Sequence, residues 1–187
     1  MTVSASELTI KVYRGGRLKH LGHNHVLTSQ ALDGFIMRAK EDTLVDSYAD
    51  IYLPLSSLQV DEPSARAQAG EDFSTQPSAA DRRGTLGNLL GPRLLEAKRY
   101  PYLRAAITLT EAQPGVFAAQ IALTVKAETV TLSVPVQLSH TAETLSLSSQ
   151  FEVTHAQLGL TPFSVLGGAI SVADPIHVQL TLNAETD

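Results

Sequence analysis

The chain has 187 residues, 43% of them apolar and 18% charged, with a formal charge of −5 and a pI near 5.6. That length fits one domain, spanning residues 1–187, with its own core. The composition argues against disorder, and the charge leaves no electrostatic footprint for nucleic acid. There is no cysteine, which excludes disulfides, thiolate metal sites and thiol nucleophiles. The first twelve residues lack a cationic start followed by an apolar run, so they do not read as a signal peptide. The expectation is a periplasmic protein if a leader has been removed, and a cytoplasmic one otherwise. No run of about 18 apolar residues offers a transmembrane helix.

Along the chain the dominant signal is apolar residues at every second position, the mark of strands with one buried and one wet face. Leu8, Ile10 and Val12 begin it. The segment Lys19-His20-Leu21-Gly22-His23-Asn24-His25 follows and holds three of the six histidines. If it is extended, His23 and His25 share a face, because side chains alternate across a strand. Ile51, Leu53 and Leu55 form the next alternating set. The pattern then breaks over residues 60–100, a polar excursion rich in Ala, Ser and Pro. Within it Ser78 is placed to cap a helix from Ala79 to Leu90, Asp81 complements the dipole of its first turn, and Gly91-Pro92 stops it. A second helical turn is expected over residues 93–97.

From residue 102 onward the alternation resumes as a meander. Ile121, Leu123 and Val125 are followed by Val130, Leu132, Val134, Val136 and Leu138. Then come Leu145, Leu147, Phe151 and Val153, and finally Ile176, Val178, Leu180 and Leu182. Turns fall at Gln113-Pro114-Gly115, at Lys126-Ala127-Glu128 and at His140-Thr141-Ala142. Pro135 lacks an amide donor, which marks an edge, a bulge or a weak seam in its strand. Such a seam would let the chain pair with a copy of itself as a homodimer. The fold class is therefore all-β: about eight antiparallel strands with a short helical insertion, as a sandwich or a closed barrel. Eight strands close a barrel just wide enough for packed side chains or one slender ligand.

The ordered set of segments resembles the YceI-like family over residues 7–183. The resemblance rests on Gly22-His23-Asn24-His25, Gly34-Phe35, Pro54-Leu55-Ser56-Ser57-Leu58, and Val60-Asp61-Glu62-Pro63 with Arg66. It continues through Ala80-Asp81-Arg82, Glu96-Ala97-Lys98-Arg99-Tyr100-Pro101, Phe151 with Leu158-Gly159-Leu160, and Val172-Ala173-Asp174. The resemblance implies a lipocalin-like antiparallel barrel whose interior carries a long isoprenoid or quinone-like chain, and a family with many exported members. The chain departs from the family pattern at Asn24, where an acid is usual, and at residues 125–130, which lack the usual His and Gly.

Two groups of side chains are candidates for chemistry. His20, His23 and His25 would bind metal if folding brought a further ligand from His155, Asp174 or Asp33. Otherwise they contact a ligand head group, or hydrogen-bond backbone and carboxylates at a barrel mouth. Arg66, Asp81, Arg82 and Arg83 either line the entrance and grip a polar head group or tie the insertion to the barrel. Asp174-Pro175 reads as a turn, or as a carboxylate partner for a histidine. The enzyme signatures GxSxG, HExxH, GxxxxGK and a helix-opening GxGxxG are absent. The expectation is a non-enzymatic carrier that needs no cofactor. An apolar polyisoprenoid or quinone-like molecule would lie against Val130, Leu132, Val134, Val136, Leu145, Leu147, Val178 and Leu180, with His23, His25, Arg66 and Arg82 near its polar end. The alternative is a metal-binding protein or metal-dependent enzyme built on the three histidines.

Overall fold

Each alternating segment becomes strand, except that Leu55, the last of the Ile51, Leu53 and Leu55 set, falls in a 3-10 turn (Leu55–Ser57) just past its strand. The computed structural model describes residues 1–39 and 44–186. In chain order the strands are β1 (Thr2–Val12), β2 (Arg14–Gly15), β3 (His25–Ser29), β4 (Asp33–Met37), β5 (Tyr48–Pro54) and β6 (Gln59–Val60). After two helices, α1 (Pro63–Ala69) and α2 (Ala79–Leu90), come β7 (Tyr102–Gln113), β8 (Val116–Val125), β9 (Glu128–His140) and β10 (Thr144–Val153). The chain closes with β11 (Ser164–Val165), β12 (Ile170–Val172) and β13 (Ile176–Glu185).

Eight of these strands form a closed antiparallel barrel in the order β1-β13-β10-β9-β8-β7-β5-β4 and back to β1. The first and last strands pair along almost their full length, from Thr2↔Glu185 to Lys11↔His177. A bulge between Ser4 and Glu7 is stitched by the buried Ser6 hydroxyl, which accepts from the Asn183 amide at 2.9 Å. Near the start of β1 the barrel closes on β4, through Thr2↔Phe35 and the Ile36 amide donating to the Met1 carbonyl. Farther along β1, β3 takes over from β4 at Leu8↔Ser29 to Val12↔His25, and β6 pairs in turn with β3. Strand β4 also needs its glycine. Gly34 has φ +143°, and a Cβ there would lie 2.1 Å from the Asp50 carbonyl oxygen on β5.

The insertion has one helix where the sequence places it and one that sequence reading passed over. Helix α2 runs over Ala79–Leu90, capped by a reciprocal pair: the Ser78 hydroxyl accepts from the Asp81 amide, and the Asp81 carboxylate accepts from the Ser78 amide. Residues 93–97 are turns and not a helix; Pro92 and the positive φ of Glu96 (49°) break the repeat. Helix α1 begins with Pro63 in its first turn and ends at Gly70 with φ +103°. Both are ordinary helix boundaries, hidden in the sequence by the polar composition between them.

Pro135 opens a seam. The β9–β10 ladder runs from Leu145↔His140 to Ser148↔Gln137 and stops there. The Pro135 carbonyl points toward β10, where it accepts from the Ser149 hydroxyl at 2.6 Å. In an antiparallel strand a residue's N–H and C=O point the same way, so the donor that proline lacks is one β10 would have used. Replacing Pro135 by Val is expected to extend the ladder. Hydrogen exchange followed by mass spectrometry should then show slower exchange in the peptides covering residues 129–136 and 149–153; unchanged exchange would mean that the seam has another cause.

Candidate functional site

The barrel interior is filled at one end and open at the other. The filled end is a cluster of buried side chains including Ile36, Ala49, Leu109, Ala119, Val134, Val136, Leu145, Leu147 and Ala184. Toward the other end lies a cavity of about 390 Å³. Its wall is built from the inward positions of every barrel strand at that level except β4, with β3 completing it. Leu8, Ile10 and Val12 come from β1, Leu27 from β3, Ile51 and Leu53 from β5, and Leu103, Ala105 and Ile107 from β7. Ile121, Leu123 and Val125 come from β8, Leu132 from β9, Phe151 and Val153 from β10, and Ile176, Val178, Leu180 and Leu182 from β13. Helix α2 contributes Thr85, Asn88 and Leu89 at the rim. The segment between β10 and β13 contributes His155, Leu158, Leu160, Phe163, Val165 and Ile170, and that between β1 and β3 contributes Tyr13, Arg14, Gly22 and His23. An apolar chamber with a few polar groups at one edge is the usual form of a small-molecule site.

Of the predicted contacts, Leu132, Val178, Leu180, His23 and His25 line this cavity. Val134, Val136, Leu145 and Leu147 point inward as expected but sit in the filled end. Val130 shares their face, is half-buried, and lies outside the cavity wall. Alternation reports the face of a strand but not the level along the barrel axis, so these residues read alike in the sequence.

The polar edge is organised by Asp61. Its side chain is fully buried. It accepts from His25 Nδ1 at 2.6 Å, from the Val26 amide at 3.0 Å and from Arg66 Nη1 at 2.5 Å. Burial pushes the Asp61 carboxyl up, but these hydrogen bonds outweigh it and hold the group below the usual carboxylate range. An ionised Asp61 can only accept, so His25 carries its proton on Nδ1 in the neutral ring. That leaves Nε2 as an acceptor beside the cavity, 3.4 Å from the Thr85 hydroxyl. His155 repeats the arrangement: Nδ1 lies 2.6 Å from Asp174, whose carboxylate also takes the His155 amide at 2.9 Å. Asp174 is thus the histidine partner that the sequence offered as one reading. Burial raises this carboxyl too, and the bonds from His155 hold it low.

Arg66 and Arg82 face the protein and not the cavity. Arg66 is 1% exposed. Besides Asp61, it donates to the Asn24 carbonyl at 2.8 Å, to the Thr75 carbonyl at 2.9 Å and to the Thr75 hydroxyl at 3.2 Å. Arg82 donates to the Asp61 carbonyl at 3.3 Å. Asp81 caps α2, and Arg83 is exposed. Arg66 therefore ties α1 to Asn24, just before β3, and Arg82 ties α2 to Asp61, just after β6; neither is among the residues lining the cavity.

The three histidines do not converge as ligands. His20 is exposed on a short turn, Lys19–Leu21. His23 and His25 lie with ring centres 6.2 Å apart, and His25 Nδ1 is held by Asp61. Asp33 is exposed at the start of β4, bonded to the Gly34 amide. Among the described residues no group of three or more His, Asp or Glu side chains is placed to hold a metal ion. The structure also places Thr85 and Asn88 at this edge and Asp61 behind His25, residues to which sequence analysis gave no role in the site. The Thr85 and Asn88 signal lay in helical spacing, one turn apart on α2 and therefore on one face.

Structural comparison finds this barrel elsewhere. The crystal structure of Burkholderia cenocepacia BcnA matches with a TM-score of 0.68 over 97% of this chain and 99% of that chain, at 14% sequence identity. A Campylobacter jejuni YceI protein matches with a TM-score of 0.58 over 86% of this chain and 84% of that one, at 10% identity. A mutant of the same protein carrying a monobromobimane guest gives the same values. No protein-family model and no curated protein matches the sequence.

Two expectations follow. Leu145→Ala, in the filled end, should cost about 2–5 kcal/mol of stability, whereas Leu180→Ala, beside open space, should cost about 1 kcal/mol because it leaves little new void; equal losses in denaturant titrations would argue against the division of the barrel. The Asp61 and Asp174 carboxyls are both depressed, so their contribution is complete above the ordinary carboxylate pKa and is lost as pH falls through their lower folded values. The melting temperature should therefore decline below about pH 4, and Asp174→Asn should give a lower but flatter acid limb.

Proposed function

We propose, from the YceI-like fold and the cavity together, that the protein is a non-enzymatic carrier of one long apolar molecule of isoprenoid or quinone type. The observation that carries this reading is the half-filled barrel: an apolar chamber of about 390 Å³ continuous with a polar edge. An apolar chain drawn into it gains about 25 cal/mol for each Å² removed from water. Its polar end would lie among His23, His25, Thr85, Asn88 and His155, where Nε2 of His25 and of His155 can accept from a hydroxyl. The carboxylates behind those rings fix their orientation and tautomer, which suits positioning of a head group.

The test is displacement of an environment-sensitive naphthylamine probe by a short-chain ubiquinone. Leu180→Trp should fill part of the chamber and weaken binding of both at least about tenfold. Thr131→Trp, on the outer face of β9, should leave both unchanged. Equal binding by the two variants would place the ligand outside the barrel and end the carrier reading.

A further inference from the structure

The rim of the cavity carries a surface that the carrier reading does not use. Leu18 and Leu21 lie between β2 and β3 and are 36% and 60% exposed; Val165 and Leu166, before β12, are 39% and 69% exposed. The two loops are one unit. The Leu18 amide donates to the Ala169 carbonyl at 2.8 Å, and Gly16, at φ +86°, brings its backbone so close that a Cβ would lie 2.4 Å from the same oxygen. β2 and β12 also pair, at Gly15↔Ser171 and Arg14↔Val172. The patch runs into the chamber, because Val165 and Ile170 line the cavity while Leu166 stands outside it.

Charge selects the partner. Residues 13–24 hold Arg14, Arg17 and Lys19 and no Asp or Glu, in a chain of net charge −5. Residues 161–170 carry no charge, and Arg93 stands over the Phe163 ring at 4.6 Å and donates to the Ser164 carbonyl. Exposed leucines on a segment with three cations and no acid, in a chain of net negative charge, match an anionic bilayer: apolar tips enter between the headgroups and cations meet phosphates. An apolar cargo also has to leave a membrane without crossing water, which requires the mouth to face the bilayer.

We propose that the joined loops of residues 13–24 and 161–170 dock the cavity mouth on an anionic lipid bilayer, with Leu18, Leu21 and Leu166 inserted and Arg14, Arg17 and Lys19 on the lipid phosphates. This rests on the carrier reading, in which cargo enters through that mouth. Flotation with vesicles of equal parts phosphatidylcholine and phosphatidylglycerol tests it, with pure phosphatidylcholine vesicles as reference. The protein is expected to float with the anionic vesicles and to be released by salt. Arg17→Gln with Lys19→Gln should weaken partition about 25-fold, fivefold for each cation. Leu21→Asn with Leu166→Asn should weaken it at least about tenfold. Both double variants should keep wild-type binding of the naphthylamine probe, which shows that fold and chamber are intact.

Flotation of the leucine variant at the wild-type level, or no flotation of the wild type, overturns the proposal. So does a concentration-dependent dimer in sedimentation velocity that the leucine substitutions abolish, because the patch is then an interface between copies. Failure of the carrier reading looks different: the wild type floats but binds neither probe nor quinone.

Discussion

The buried Asp61 carboxylate holds the open end of the barrel together. It follows β6, is fixed by the Val26 amide of β3, and binds Arg66 of α1 and His25 at the rim. Removing one partner from a buried ion pair leaves the other charge without solvent or counterion, at a cost of about 3–5 kcal/mol. The network therefore works as a clasp. It pins the insertion over the mouth, fixes the His25 ring, and lets strand β3 stand in where β4 has left the barrel wall. Arg66 is wholly committed to this task, and Phe73, also buried, packs against it and against the Tyr13 ring.

With the mouth held, the interior divides by side-chain reach. At the filled end Ala49, Ala119 and Ala184 alternate with leucine, isoleucine and valine and leave little space. At the open end the residues are as large, but the opposing walls do not meet, and the lining stays aliphatic from β1 round to β13. The two halves do different work: one is a packed core, and the other supplies the room.

Much of the fold was legible in the sequence. The alternation in Val130 to Leu138 and in Ile176 to Leu182 specified strands and their buried faces, and Ser78 with Asp81 specified the start of α2. The hidden parts were those set by contacts distant in the chain. Helix α1 is short and polar, and its stability comes from Arg66 reaching Asp61 and Asn24, not from its own pattern. His23 and His25 looked alike, yet only His25 belongs to a strand and only it meets the carboxylate. The level of each inward residue along the axis depends on strand tilt and register, which is why Leu132 and Leu180 reach the chamber while Val134 and Leu145 do not. The break at Pro135 could be read in advance because a missing amide is a property of one residue.

A chamber of this kind should hold an apolar molecule when the protein is taken from its own setting. The most direct measurement is mass spectrometry on protein purified from its native host, as an organic extract and as the intact particle. A loaded chamber gives a single long-chain isoprenoid or quinone in the extract, and an intact mass above that of the polypeptide by that amount. An extract without lipid, together with an intact mass raised only by a metal ion, would contradict the carrier reading and move the function to the histidines.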